Sequence, residues 1–284
     1  MTSSLRAAVR GMATFGLTVV RHGETRYNKE KIMQGQGVDE PLSDTGFKQA
    51  RAAGMYLHHT RFTHVFTSDL LRAKQTTTLI LGNSQCCKEI PVKCDARLRE
   101  RKYGVAEGRP LSDLKTMARA AGEQHPSFTP PGGETLDEVK ARVKDFFEYI
   151  CNLVAQETCL EKQVSPRTEG NNAEMAKGSS TTSLPNHNGG LEFDSNSEGA
   201  AGGLAANILV VSHGAYMRNW AGYFISDLQC TLPASLTKAE LSSVTPNTGM
   251  SRFIVKLDMR ENVKPKIHCI FLNRSDHLHD LSDS

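Results

Sequence analysis

The chain has 284 residues, of which 38% are hydrophobic, and this length can bury a substantial core in one large α/β domain or two small ones. Its formal net charge of +3 is only mildly basic, so the composition gives no case for a nucleic-acid-binding protein but is compatible with a local anion site. Seven cysteines without a C-x-x-C pair are not typical of a disulfide framework or a zinc cage, and no apolar stretch reaches the roughly 20 residues of a membrane span. We therefore expect a soluble, cytoplasmic protein with reduced thiols.

The first predicted element is preceded by residues 1–13, which include Arg6 and Arg10 but no acidic residue. This composition faintly resembles a mitochondrial transit peptide. We interpret it as a flexible N-terminal extension, with Met1 and Met12 both open as the functional start.

Four segments along the chain have the composition of β-strands. The segment "FGLTVV" (15–20) is apolar on both faces, which is typical of a buried parallel strand. Further strands are predicted at 63–68, 90–98 and 206–213, and Cys94 is expected to pack in the core.

Three helical patterns lie between these strands. The first begins after Ser43, a good N-cap residue, and the second covers residues 70–81. The third is long and covers residues 135–156, directly after the chain-breaking segment "PPGGE". This alternation predicts an α/β fold with a mostly parallel sheet flanked by helices on both faces.

Residues 161–204 are rich in Ser, Asn and Gly and cannot bury enough apolar surface to offset their ordering entropy. We predict a disordered insertion there, within a single domain that spans residues 14–272. Two alternating segments after residue 247, "TGMSRFIVKLD" and "KPKIHCIFLN", predict an antiparallel edge of the sheet. Residues 273–284 are expected to form a C-terminal tail.

Polar side chains follow the predicted strands at their carboxyl ends, where ligands collect in open α/β sheets. Arg21 and His22 end the first strand, and Arg72 follows the second. Glu100 follows the third strand, and His213 ends the fourth. Two "HG" dipeptides at strand ends favour a catalytic site over two unrelated structural histidines.

This set of residue types suits phosphoryl transfer through a covalent histidine. A neutral imidazole at His22 can attack phosphorus, while the guanidinium groups of Arg21 and Arg72 neutralise the phosphoryl oxygens without a metal or cofactor. His213 is expected to add a third donor as an imidazolium. Glu100 is expected to protonate the leaving alkoxide and then to activate water.

Asn28 is a candidate for a neutral hydrogen bond to the same phosphate. Two pairs of histidines, His58 with His59 and His277 with His279, lack a nearby cysteine or carboxylate at ligand spacing. We therefore expect these histidines to lie in solvent rather than to bind a metal.

The motifs "RHGETRYN", "TSDLLRAKQT", "LRERKYG", "PPGGET" and "VVSHGAYMR", in this order, resemble the histidine phosphatase superfamily, in its phosphoglycerate mutase-like branch. The resemblance covers about residues 14–160 and 206–272. It implies that His22 carries the phosphoryl group and that Glu100 is the proton donor. It implies a phosphate pocket and a loop close to it that include Arg21, Asn28, Gly35, Arg72 and His213.

Where mutases of this family typically have a histidine, the chain has Lys102. Beside Arg101, this lysine is expected to keep the mouth of the site cationic, which suits a substrate with a second phosphate, although a solvated basic turn is the alternative.

The resemblance further implies hydrolysis of the 2-phosphate of fructose 2,6-bisphosphate, which would lower glycolytic flux. The alternatives left open are other glycolytic phosphates such as bisphosphoglycerate, a phosphoglycerate mutase, and a non-catalytic binding protein. A contact with hexokinase at mitochondria is an expected addition, and the mitochondrial outer surface and the nucleus are open as further locations.

Overall fold

The computed structural model describes residues 11–164, 203–237, 240–241, 243–260 and 263–281. Six strands form one sheet in the order β3-β2-β4-β1-β5-β6. The strands are β1 (Met12–Arg21), β2 (His64–Thr67), β3 (Val92–Cys94), β4 (Ala206–Ser212), β5 (Met250–Asp258) and β6 (Lys266–Arg274).

The pairs β1–β4, β4–β2 and β2–β3 are parallel, whereas β5 pairs antiparallel with both β1 and β6. The predicted α/β fold with an antiparallel edge is therefore confirmed. The central strands β1 and β4 are buried over nearly their whole length, which explains why their sequences are apolar on both faces.

Helices cover both faces of the sheet. Along the chain, the helices are α1 (Arg26–Lys29), α2 (Asp44–Tyr56), α3 (Leu71–Gly82), α4 (Leu111–Ala120), α5 (Leu136–Val164) and α6 (Gly214–Ser226). Helices α5 and α6 pack on one face through a cluster rich in aromatic residues, in which the rings of Phe147 and Phe224 meet with centroids 4.7 Å apart. Helices α2 and α3 pack on the other face.

The predicted helix starts agree with the structure. The hydroxyl of Ser43 accepts a hydrogen bond from the N–H of Gly46 and caps α2 as expected. Helix α5 continues to Val164, beyond the predicted end at residue 156. None of the helices in the described ranges is long and apolar enough to cross a bilayer.

The structure corrects three predictions about the segments at the sheet edges and chain ends. The third strand covers only Val92–Cys94 and is exposed, because it is an edge strand that pairs with β2 alone. Cys94 is therefore exposed rather than part of the core, and it is a free thiol like the other six cysteines. Strand β1 already begins at Met12, inside the predicted extension. Residues 1–10 and most of the predicted insertion, residues 165–202, lie outside the described residues.

The predicted C-terminal tail is also partly structured. After β6 ends at Arg274, residues Asp276–Leu281 form a 3₁₀ helix. The ring of His277 packs at 5.7 Å from the ring of Tyr56 in α2. His277 is thus not a solvent histidine, because the 3₁₀ helix places it against the domain.

Candidate active site

The pairing of β1 with β4 brings the two "HG" dipeptides together. Arg21 lies opposite Ser212 in the parallel register, and the N–H of His22 donates to the carbonyl of Ser212 at 2.9 Å. Both histidines therefore leave the sheet at the same point, and their ring centroids lie 5.1 Å apart. Both are buried, with His22 only 2% exposed.

His22 has the protonation state of a nucleophile. Its Nδ1 lies 2.7 Å from the carbonyl oxygen of Gly23, and because a carbonyl can only accept, Nδ1 carries the proton. Burial, reinforced by the charges of Arg72 and Arg21, holds the pKa of His22 well below its ordinary value. The imidazole is therefore neutral at pH 7, with its lone pair on Nε2.

Arg72 is a buried guanidinium whose position is fixed by a loop. Its Nη1 donates to the carbonyl of Val38 at 3.1 Å, and its Nη2 donates to the carbonyl of Gly35 at 2.9 Å. Gly35 has a φ of 58°, a left-handed conformation that favours glycine. Burial lowers the pKa of Arg72 to about 10, so the group stays charged at pH 7.

Arg21 is a second buried guanidinium beside His22. Its Nη1 donates to the carbonyl of Thr245 at 2.7 Å. Within the described part of the chain, the Nε atoms of both Arg21 and Arg72 are buried without a hydrogen-bond partner. Two desolvated cations with free N–H groups form a site for an anion.

His213 is completely buried, and neither of its ring nitrogens has a partner among the residues that the structure describes. Burial is the largest cause that lowers its pKa well below the ordinary value, and the charge of Arg72 and the ring of His22 add to it. The expected imidazolium is therefore wrong for this environment, because cations surround the ring. A neutral His213 still offers one N–H to a phosphoryl oxygen.

Glu100 meets the amino end of α6. Its Oε1 accepts from the N–H groups of Arg101 at 2.8 Å and Tyr216 at 3.1 Å, and its Oε2 accepts from the N–H of Ala215 at 3.1 Å. The free N–H groups and the dipole of α6 hold the carboxyl group in place. Glu100 lines the same cavity as Arg21, His22 and Arg72.

Asn28 also lines this cavity. Its side-chain oxygen accepts from the backbone and hydroxyl of Thr25 and from Nδ2 of Asn247. With the oxygen used in this way, the amide nitrogen of Asn28 is the group that remains for a ligand, as the predicted hydrogen bond requires.

The cavity has a volume of about 1000 Å³ and extends from His22 to residues of α4, α5 and α6. Its wall includes cationic residues that the sequence did not single out, namely Lys115 of α4, Lys140 of α5 and Arg218 of α6. Lys140 is paired with Asp227 at 2.8 Å. No local motif marks these residues, since each becomes a wall residue only when its helix packs against the others.

Arg101 and Lys102 do not form the predicted cationic mouth. Arg101 is 2% exposed, and although it borders the cavity, its guanidinium donates to the carbonyls of Glu134, Pro126 and Phe128. These carbonyls occupy its donors and give it a structural role. Lys102 is exposed and is not among the residues that line the cavity.

Comparisons with known proteins identify the family of this chain. The sequence profile of the histidine phosphatase superfamily (branch 1) matches residues 17–160. The chain is 54% identical to fructose-2,6-bisphosphatase TIGAR of Bos taurus over 267 residues, which cover 94% of this chain and 97% of the relative. It is 43% identical to fructose-2,6-bisphosphatase TIGAR B of Danio rerio over 275 residues, which cover 96% and 100%.

Solved structures share the fold. A phosphoglycerate mutase from Bacillus anthracis str. Sterne superposes with a TM-score of 0.63 at 18% identity, covering 94% of this chain and 96% of that one. A mycobacterial glucosyl-3-phosphoglycerate phosphatase gives a TM-score of 0.59 at 22% identity, with coverage of 92% and 99%. The profile match and the full-length relatives, together with two "HG" dipeptides joined across β1 and β4, place this chain in the histidine phosphatase superfamily.

Proposed function

We propose that the protein is a phosphatase that hydrolyses the 2-phosphate of fructose 2,6-bisphosphate through a phosphohistidine intermediate. One observation supports the phosphohistidine mechanism. The neutral imidazole of His22 lies beside Arg21 and Arg72, whose buried Nε atoms have no hydrogen-bond partner among the described residues, and the carboxyl group of Glu100 lines the same cavity. The relatives named fructose-2,6-bisphosphatase support the choice of substrate.

In the first step, Nε2 of His22 attacks phosphorus and the bond from phosphorus to the sugar oxygen breaks. Arg21 and Arg72 neutralise the charge that spreads over the equatorial oxygens. Glu100 gives its proton to the leaving alkoxide, so the sugar departs as a neutral alcohol.

In the second step, Glu100 removes a proton from a water molecule, and this water attacks the phosphorus of the phosphohistidine. The bond from phosphorus to Nε2 breaks, inorganic phosphate forms, and His22 returns to its neutral state with its lone pair on Nε2. The hydrogen bond from Nδ1 to the carbonyl of Gly23 keeps the ring in the same tautomer throughout.

The size and charge of the cavity support a substrate with two phosphates. A monophosphate would engage Arg21 and Arg72, whereas Lys115 and Arg218 are further cations that line the same cavity. Guanidinium and ammonium groups at that wall suit the 6-phosphate of the sugar. This role replaces the one that the sequence suggested for Arg101 and Lys102.

Rapid-quench labelling tests the proposal. Protein mixed with substrate labelled at the 2-phosphate should show acid-labile, alkali-stable label on His22, and the products should be free phosphate and fructose 6-phosphate. The His22→Ala variant should show neither label nor turnover. Turnover without label on His22 would exclude the covalent mechanism, and an isomerised phosphate ester without free phosphate would identify a mutase.

On the family resemblance alone, we extend the proposal to a cytoplasmic location, lower glycolytic flux and a contact with hexokinase at mitochondria. Fractionation of cells, combined with co-precipitation by the His22→Ala variant, tests these points. Binding of hexokinase by the inactive variant would separate that contact from catalysis.

A further inference from the structure

An ion pair outside the cavity holds the segment that contains Glu100. Arg142 of α5 and Glu134, which precedes that helix, form a bidentate ion pair, in which Nε meets Oε1 and Nη2 meets Oε2 at 2.8 Å each. Both side chains are largely buried, with exposed fractions of 21% and 18%. Neither residue is among those that line the cavity.

Arg142 ties down the backbone directly before Glu100. Its Nη1 donates to the carbonyls of Arg97 at 2.7 Å and Arg99 at 3.1 Å, and its Nη2 reaches the carbonyl of Glu100 at 3.3 Å. Its guanidinium also lies 5.3 Å from the ring centre of Tyr216, the residue whose N–H binds the carboxyl group of Glu100. One side chain thus contacts both the turn that delivers Glu100 and the helix that receives it.

Glu134 ties down the backbone directly after Glu100. Its Oε2 accepts from the N–H of Lys102 at 2.8 Å and from Nε2 of Gln36 at 3.1 Å. The same Nε2 of Gln36 donates to the carbonyl of Glu100 at 2.8 Å. The turn is therefore fixed on both sides of Glu100 by groups that share one ion pair.

We propose that the pair of Glu134 and Arg142 positions Glu100 for proton transfer to the leaving oxygen. The inference rests on the proposed function, in which Glu100 is the acid. An acid is effective only within hydrogen-bond reach of the atom that it protonates, and a misplacement of about 1 Å can cost about 100-fold in rate. Charge-assisted hydrogen bonds to carbonyls are strong enough to hold a turn to that tolerance.

The test compares two leaving groups. Loss of general acid catalysis slows the cleavage of an alkyl phosphate such as fructose 2,6-bisphosphate, whose alkoxide needs a proton. It hardly affects p-nitrophenyl phosphate, whose phenolate leaves without one. Glu134→Gln and the charge-conserving Arg142→Lys should each lower kcat/KM for the alkyl substrate by about 10-fold to 100-fold, and for the aryl substrate by less than about threefold.

Two controls separate positioning from general damage. Glu148→Gln removes a carboxylate from an exposed ion pair with Lys144 on the same helix, and it should leave kcat/KM unchanged for both substrates. In a Glu100→Gln background, Glu134→Gln should add less than about a threefold loss with the alkyl substrate, because the group that it positions is already gone.

The outcomes are distinct. In variants that circular dichroism shows to be folded, equal losses with both substrates would overturn the positioning role, and so would a full additional loss in the Glu100→Gln background. If Glu100→Gln itself lowered kcat/KM equally for both substrates, the proposed function would be wrong in making Glu100 the acid.

Discussion

Nε2 of His277 and Oγ1 of Thr248 lie 3.0 Å apart, and this contact joins the C-terminal 3₁₀ helix to the loop behind the nucleophile. Thr248 has a φ of 55°, which is strained for a β-branched residue, and its N–H donates to the carbonyl of His22. Asn247 of the same loop also donates to that carbonyl, at 3.1 Å. The end of the chain therefore supports the backbone of the residue that attacks phosphorus.

His277→Ala should lower the free energy of unfolding by about 1–3 kcal/mol, since it removes a partly buried hydrogen bond and the ring contact with Tyr56. The strained loop should relax, and kcat should fall by about 10-fold. Urea denaturation and steady-state kinetics measure the two effects. His59→Ala, at an exposed histidine, is the control, and a variant at position 277 with unchanged stability would contradict the prediction.

The stability of the protein should fall on acidification. Burial is the largest cause that lowers the folded-state pKa of His22, His213 and His277, and for His277 the value is about 4 against an ordinary 6.5. Because the unfolded chain takes up these protons first, the stabilising contribution is complete above about pH 6.5. It decreases as the pH falls through that value toward 4.

Unfolding free energies measured from pH 7.5 to pH 5 check this sign. The His277→Ala variant should show a shallower dependence than the unchanged protein, because one of the three groups is missing. Stability that stays constant or increases toward pH 5 would contradict the lowered pKa values of the buried histidines.

Arg72→Lys should lower kcat/KM by about 100-fold to 1000-fold, the loss typical of one preorganised donor to a transition-state oxyanion. A lysine ammonium cannot serve the carbonyls of Gly35 and Val38 and also offer a donor with the geometry of Nε. Inhibition by inorganic phosphate should weaken in parallel. Arg26→Lys, at an exposed arginine paired with Glu40, is the matched control and should behave like the unchanged protein.

Arg218→Ala should discriminate between substrates with one and two phosphates. The expected loss in kcat/KM is about 10-fold or more for fructose 2,6-bisphosphate, and less than about twofold for p-nitrophenyl phosphate, which has no second phosphate to bind. Lys115→Ala should act in the same direction. Equal effects on both substrates would place the second phosphate elsewhere.

Much of the fold was predictable because β1 and β4 are buried on both faces and Ser43 is a strong N-cap. Helix α6, by contrast, was not predicted, although its buried residues Tyr216, Met217, Trp220, Tyr223 and Phe224 recur at the spacing of one helical face. Helix α4 was also missed, and with it Lys115.

The chemistry of the site was predictable where a residue follows a strand directly, as His22 and His213 do. It was not predictable where contacts between residues far apart in the sequence determine the role or the protonation state of a side chain. Arg101 was expected to face a substrate, but carbonyls of a loop more than twenty positions away use its donors. The neutral state of His213 likewise depends first on burial and then on the charges of Arg72 and Arg21, and the ring meets this environment only in the folded chain.

The described chain leaves α5 at Val164 and returns near Ala206, where β4 begins, whereas His213 follows the last residue of that strand. The chain thus enters β4 at the end of the strand opposite the catalytic histidines, roughly 20 Å away for a strand of this length. Insertions and deletions before β4 can therefore change the length of the chain without moving the residues that bind phosphate, because those residues lie at the other end of the strand.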